Sequence, residues 1–479
     1  MLSRQVFVRR KSSTTKPLLF VGIICLAKIL SAQCAAPAQS TTSNESVRLL
    51  DPRIPEFIYP ASEAIILKHV DSGDTNWIAR HGWGLWTALT NPAWPGSNSS
   101  VYETWVSPVA GGVMSPEIIA HFAKSAKPAQ PFHLLQRPRQ FRGLRFPQSA
   151  NQTAPFTSAL VLVTVNWSPE LVADVEKNQL QSSAVLNRLL ASGESAIHLN
   201  ERSITLKPTY LLLDPSLLVQ GRYYQMSTWP GPPTPATPFP SNMWKQCIWV
   251  DARDTTAGIG TGAVDKICAS DGSSRTAQTT YGLANFINFI LTDQEAKVWT
   301  SDSPTGGNVQ AGNIVILVAM NVATREMSEW TWQTFWWQPD ADNPPAPSSI
   351  AIAAARPSQL RGAPRHYAQC FDYQMVNPNQ PITGGIGTEP VACYNPYLEA
   401  PFFGPAELPD SKPWAYKGTT YLENVGVRSN CMSCHIQATY PQNDTAPKFT
   451  GDEYIDWNGP EFSKHLKMDF TWSIVNNVK

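Results

Sequence analysis

The sequence predicts an α+β protein: a β-rich antiparallel sheet core with short helices, many Pro-rich loops and one short helix near the C-terminus. Three observations predict it. Short runs of β-branched and aromatic residues recur between turn signals, the pattern of strands that bury at least one face. Forty-one prolines in 479 residues interrupt the chain too often for long helices. Seventeen tryptophans within a 42% hydrophobic composition supply a large core, and bulky aromatics favour pleated surfaces. The length points to two or more domains.

Residues 1–36 read as an export signal peptide. Arg4, Arg9, Arg10, Lys11 and Lys16 come without an acid, then the apolar run Pro17 to Ala27, then small residues from Ser31 to Ala38. Lys28 cuts the apolar run short of a bilayer span, so the mature chain is expected to have no stable membrane span. Gln33 is bulky for a lipid-attachment site at Cys34, and the arginine pair lies too far ahead of the apolar core for a twin-arginine address. The acid-free start also fits a mitochondrial presequence leading to the intermembrane space. The continuous apolar core favours bacterial export to the periplasm. Thr41 to Arg53 follows as a polar leader.

A mixed α/β domain is expected over residues 37–229. Asp74 or Thr75 caps a helix from Trp77 through Leu89, with Trp77, His81 and Leu85 on one stripe and Gly82 and Gly84 weakening it. His81, set between aromatics on an apolar face, reads as a packed core residue rather than a ligand. Arg137, Arg139, Arg142 and Arg145 read as a solvated loop. Ala159 to Trp167 is a buried strand, and Leu186, Leu189 and Leu190 follow helical spacing. Ile204 to Leu213 is a strand in which Pro208 marks an edge or a break. After Val219 to Trp229, the proline-dense stretch 230–241 is a linker or long surface loop and the first domain boundary.

A β-rich, Trp-rich domain is expected over residues 242–425. It opens with the strand Gln246 to Asp251, and Thr292 with Glu295 forms a capping box that starts a helix. Asn313 to Val322 reads as a central strand and Trp330 to Trp337 as its antiparallel neighbour. The four tryptophans of that second run read as sheet core; the competing reading is an aromatic wall beside a cofactor. In the last segment, 426–479, Asp452 to Trp457 and Pro460 to Met468 read as a turn or helix, and Phe470 to Val475 as a final strand.

The chemistry concentrates in Cys431, Cys434 and His435. Positions i, i+3 and i+4 share one helical face, so two thiols and an imidazole converge on one side of a single turn. With 8 Cys and 8 His in the chain, the pattern arises by accident in about two chains per thousand. A zinc knuckle needs a second close Cys or His pair, and a thioredoxin pair belongs at the start of a βαβ unit; neither context is present. Asn430 or Ser429 caps the turn and Pro441 stops it.

This peptide resembles the haem-binding peptide of c-type cytochromes, and the resemblance covers nothing else. It implies one covalent haem c per chain, with thioether bonds at Cys431 and Cys434 and His435 as proximal iron ligand, which is also the only metal ligand implied. Small electron-carrier cytochromes place this motif near the start and a methionine ligand well downstream. Here only 44 residues follow His435, so upstream residues must help enclose the haem. The sixth position is left among Met468, His465, Met375, His366 and an open site. Arg361, Arg365 and Arg428 are candidate partners for the haem propionates.

The remaining cysteines agree with an oxidising compartment. Once Cys25, Cys34 and the motif pair are set aside, Cys247, Cys268, Cys370 and Cys393 remain; neighbours in sequence are expected to pair, and the two other connectivities stay open. Each bridge closes a loop of about twenty residues, worth roughly 3 kcal/mol by loop entropy. Thirty-seven basic residues balance thirty-seven acidic ones, which gives no field for nucleic acid or anionic membrane. The expected function is therefore electron transfer by an exported single-haem protein, with a redox partner protein or small molecule. The alternative is a haem enzyme, a peroxidase or small-molecule oxidoreductase, with an open distal iron site. The extra length favours something beyond shuttling.

Overall fold

The computed structural model describes residues 54–108, 133, 161–232, 244–302, 309–380, 389–399, 414–416, 419–421, 430–443, 445–447, 449 and 453–479. Residues 1–36, expected to be a signal peptide, Thr41 to Arg53, the Arg137–Arg145 patch, most of the 230–241 stretch, Arg428 and Ser429 lie outside the described residues.

The fold is an α+β mixture built on one seven-stranded antiparallel sheet. Its strands are β1 (Val161–Val163), β2 (Asn166–Trp167), β3 (Ile204–Leu213), β7 (Asn288–Ile290), β8 (Ile314–Thr324), β9 (Thr331–Trp337) and β10 (Tyr367–Asp372). The main path runs β1-β3-β8-β9-β10, with β2 also on β3 and β7 also on β8. A smaller three-stranded sheet joins β4 (Tyr223–Ser227), β5 (Cys247–Asp251) and β6 (Thr280–Gly282). The apolar run of β8 is central, as its composition predicts: Val315 to Met320 are all fully buried. β9 pairs with it antiparallel, Ala323 opposite Trp332 and Ala319 opposite Trp336.

Helix α1 (Glu63–Asp71) leads into α2 (Thr75–Thr90), where the Asp74 carboxylate accepts Trp77 N–H as N-cap. Further helices are α3 (Pro169–Lys177), α4 (Ser183–Ala191), α5 (Asp293–Asp302), α6 (Ile350–Ala354), α7 (Cys431–His435) and α8 (Trp472–Val475). The capping box at α5 forms both ways: Thr292 N–H donates to Glu295, and Glu295 N–H donates to the Thr292 hydroxyl. α2 lies on one face of the sheet, Trp86 stacking on Phe335 at 4.4 Å. Gly82 permits this approach, because a Cβ there would run into Gln369.

Two expectations are corrected and a third is narrowed. Pro208 sits inside the sheet and not at an edge, and the break it marks is in the pairing and not in the strand itself. It is opposite Met320 on one side and opposite the gap between β1 and β2 on the other, where Thr164 N–H donates to its carbonyl, and the register shifts just after it at Thr209/Tyr210. The stretch 230–241 does not separate two cores: β3 before it pairs along its whole length with β8 after it, and residues 47–479 form one compact unit. Phe470 to Val475 is not a strand. Asp469 and Phe470 turn the chain through positive φ, the Phe470 carbonyl is taken by His435, and Trp472–Val475 closes a short helix. Upstream, the Pro460 stretch gives one 3₁₀ turn, Pro460–Phe462, followed by Leu466–Lys467 paired with Thr439–Tyr440.

Among the described residues no helix is long and apolar enough to cross a membrane. Disulfides join Cys247 to Cys268 and Cys370 to Cys393, the two pairings of sequence neighbours.

Candidate functional site

Asn430 builds the turn that carries Cys431, Cys434 and His435. Its carboxamide oxygen accepts Ser433 N–H at 3.0 Å as N-cap, and its amide group donates to the carbonyls of Gln374, Met375 and Val391. The cap is therefore also a clamp onto the segment that leaves β10. From β10 itself, Asp372 accepts Cys431 N–H at 2.7 Å.

The turn lies over the sheet face opposite α2. That face carries Lys207, Asn321, Thr334 and Cys370 in one cross-strand row and Ala323, Trp332 and Asp372 in the next. The Trp332 ring lies 4.2 Å from that of His435. Thus the Trp-rich strand serves both readings: Trp330, Trp332, Trp336 and Trp337 are all buried, and Trp332 also forms a wall against the motif. Segment 391–399 covers the rest of the face, with Asn321 donating to Glu399 and Asn395 donating to Thr209.

Cys431 and Cys434 form no disulfide, whereas the four other described cysteines do. Burial, with Asp372 next, raises the Cys431 thiol well above its usual range, so it stays protonated. His435 Nδ1 lies 2.8 Å from the Phe470 carbonyl, to which it donates. That bond fixes the tautomer and leaves the Nε2 lone pair as the donor site. Burial, with the Lys207 ammonium behind it, pushes His435 down to about 3, so the imidazole is neutral as a ligand must be. Asp372 is wholly buried; desolvation raises its pKa well above the carboxylate range, and its Oδ1 has no hydrogen-bond partner. Two thiols, one neutral imidazole with a directed lone pair and an aromatic wall fit the donor set of a covalent haem.

The candidate sixth ligands fare differently. His465 has both ring nitrogens facing carbonyl oxygens, Pro441 at 3.1 Å and Thr445 at 2.9 Å. The Met375 sulfur accepts Ile455 N–H at 3.4 Å. His366 precedes Tyr367 at the far end of β10, roughly 20 Å along the chain from Asp372. Arg361 and Arg365 are exposed at that same far end, so the structure does not bring them to the motif. Met468 is fully buried, two residues before the carbonyl that holds Nδ1. His81 is a core residue, bonded to Tyr373 and Glu326.

Sequence reading missed Asp372 and Lys207 as neighbours of the motif. Lys207 had a signal: a lysine as the one charged residue of the buried strand Ile204–Leu213 is costly unless something faces it. Burial lowers its pKa, opposed first by Glu399. Asp372 carried none, since only the β9–β10 register aligns it with Trp332.

No family model matches the chain, and no match is found among curated proteins or solved structures.

Proposed function

We propose that this protein is an exported single-haem c-type cytochrome working in electron transfer, with haem c joined to Cys431 and Cys434 and ligated by His435. The observation that carries the reading is selective disulfide formation: the described cysteines outside the motif are in disulfides, while Cys431 and Cys434 are in none and stand beside an imidazole whose Nε2 is directed away from its Phe470 bond. When bound, the haem supplies a one-electron couple. The chain's own part is to aim His435 through the Phe470 carbonyl, hold the turn through Asn430 and Asp372, and exclude water with Trp332. The two disulfides support an oxidising compartment, the periplasm by preference.

A second reading, a haem enzyme with an open distal position, is favoured by the commitment of His465 and Met375 elsewhere and by the remoteness of His366. The test is haem staining of the exported protein on a denaturing gel, followed by oxidised and reduced spectra with and without carbon monoxide. Covalent haem is expected in the native chain and not in the variant carrying Cys431→Ala and Cys434→Ala; retention by that variant rejects the reading. A reduced spectrum indifferent to carbon monoxide selects electron transfer, and rapid binding selects the open site.

A further inference from the structure

On the sheet face away from the motif, three rings lie nearly parallel where α1 meets α2. His69 stacks on Trp77 with centroids 4.2 Å apart and 2° between planes, and Trp77 stacks on His81 at 5.2 Å and 5°. The Tyr373 hydroxyl donates to His81 Nδ1 at 2.7 Å, with the rings edge to face. His81 Nε2–H then donates to Glu326 at 3.2 Å, which fixes the tautomer. Tyr373 is the chain neighbour of Asp372, whose carboxyl accepts Cys431 N–H, and Asn430 ties the next two carbonyls to the same turn.

The first two rings are partly exposed and the last two are buried. His69 keeps 21% of its side-chain surface, Trp77 is half-buried, His81 is 4% exposed and Tyr373 2%. A series running from surface to interior, joined at each step by ring contact, hydrogen bond or peptide, has the form of a through-protein path.

We propose that His69, Trp77, His81 and Tyr373 form an electron conduit from the α1–α2 surface to the Cys431–His435 turn, fed by a one-electron redox carrier. The inference rests on the haem reading above. Tunnelling decays exponentially with distance, and least through covalent bonds, hydrogen bonds and touching π systems. One electron enters at His69 and leaves at the turn; no bond forms or breaks, and no ring is held oxidised. The phenolic proton stays on Tyr373, whose hydroxyl burial, with Glu326 next, keeps well above its usual pKa. Packing alone would be served as well by aliphatic side chains in place of the Trp77 stack.

The test uses a ruthenium–polypyridyl label on the haem-loaded protein and follows haem reduction after a flash. His198 is exposed and lies off the series, so it gives a control site. Singly labelled protein is prepared at His69 in a His198→Gln background, and at His198 in a His69→Gln background. Trp77→Leu is expected to slow arrival from His69 by about an order of magnitude and to leave arrival from His198, haem content and reduction potential unchanged. Tyr373→Phe, which keeps the ring and loses the bond to His81, slows it less. Unchanged rates from His69 in both variants, or equal slowing from both labels, overturn the conduit. Native protein without covalent haem on the staining gel rejects the haem reading itself, before any flash is fired.

Discussion

Asn430 concentrates more local order than any neighbour in the motif, because one carboxamide caps the helix and binds three carbonyls of other segments. Replacing it by alanine removes a cap worth about 1 kcal/mol and leaves buried carbonyls unpaired at about 1–3 kcal/mol. Asn430→Ala should therefore lose about 2–4 kcal/mol in chemical denaturation; a loss under about 1 kcal/mol would show that water replaces the clamp. The cap itself was legible in the sequence, since asparagine before an i, i+3, i+4 pattern is a helix start. Its three carbonyl partners were not, because they come from residues about forty to fifty-six positions away.

At the scale of elements, α2 shows why periodicity was a sound guide and why its two glycines were misread as weakness. Trp83 and Trp86 enter the core beside Phe335, and Gly82 brings the helix backbone against Gln369 and Gln333. In an isolated helix, Gly82→Ala would gain about 1 kcal/mol of propensity. Here the added methyl meets wholly buried Gln369, and overpacking costs about 1–3 kcal/mol. Net destabilisation is expected, read as a lower denaturant midpoint; a rise would mean that α2 can move off the sheet. The segment after Asp469 is the opposite case. Its apolar residues fit a strand, yet the Phe470 carbonyl is engaged by His435 and Asp469 is held by Arg325 and Leu199 N–H, so the chain turns instead of pairing.

Across the whole molecule, buried ionic contacts tie distant segments together. His133 sits between Glu103 and Glu295 at 3.2 and 2.8 Å, stacked on Phe289. Burial alone would lower its pKa, but the two carboxylates outweigh it and hold it at about 9, above the ordinary 6.5. Because the folded value is the higher one, the stabilisation is complete below pH 6.5 and is lost as pH rises through about 9. Its size is on the order of 3 kcal/mol. His133→Gln should flatten the stability profile between those two values; an unchanged profile would show that His133 is not the titrating group. The disulfide Cys370–Cys393 acts at the same scale, fixing segment 391–399 on the sheet face that meets the motif.

What was legible from the residues alone is local: the spacing of Cys431, Cys434 and His435, a cap at Asn430 or Ser429, the β3, β8 and β9 runs and the capping box at α5, with the pairing of neighbouring cysteines favoured over two other connectivities. These follow from contacts within a few residues or from loop closure, whose physics depends on order along the chain. Only the tertiary structure decided that β3 and β8 pair across the proline-dense stretch, and that Asp372, Lys207 and Trp332 lie beneath the cysteine helix. It alone directs the Phe470 carbonyl at His435 and leaves His465 and Met375 committed elsewhere. Those contacts depend on register and on which sheet face a segment covers, and a one-residue slip would exchange every one of them.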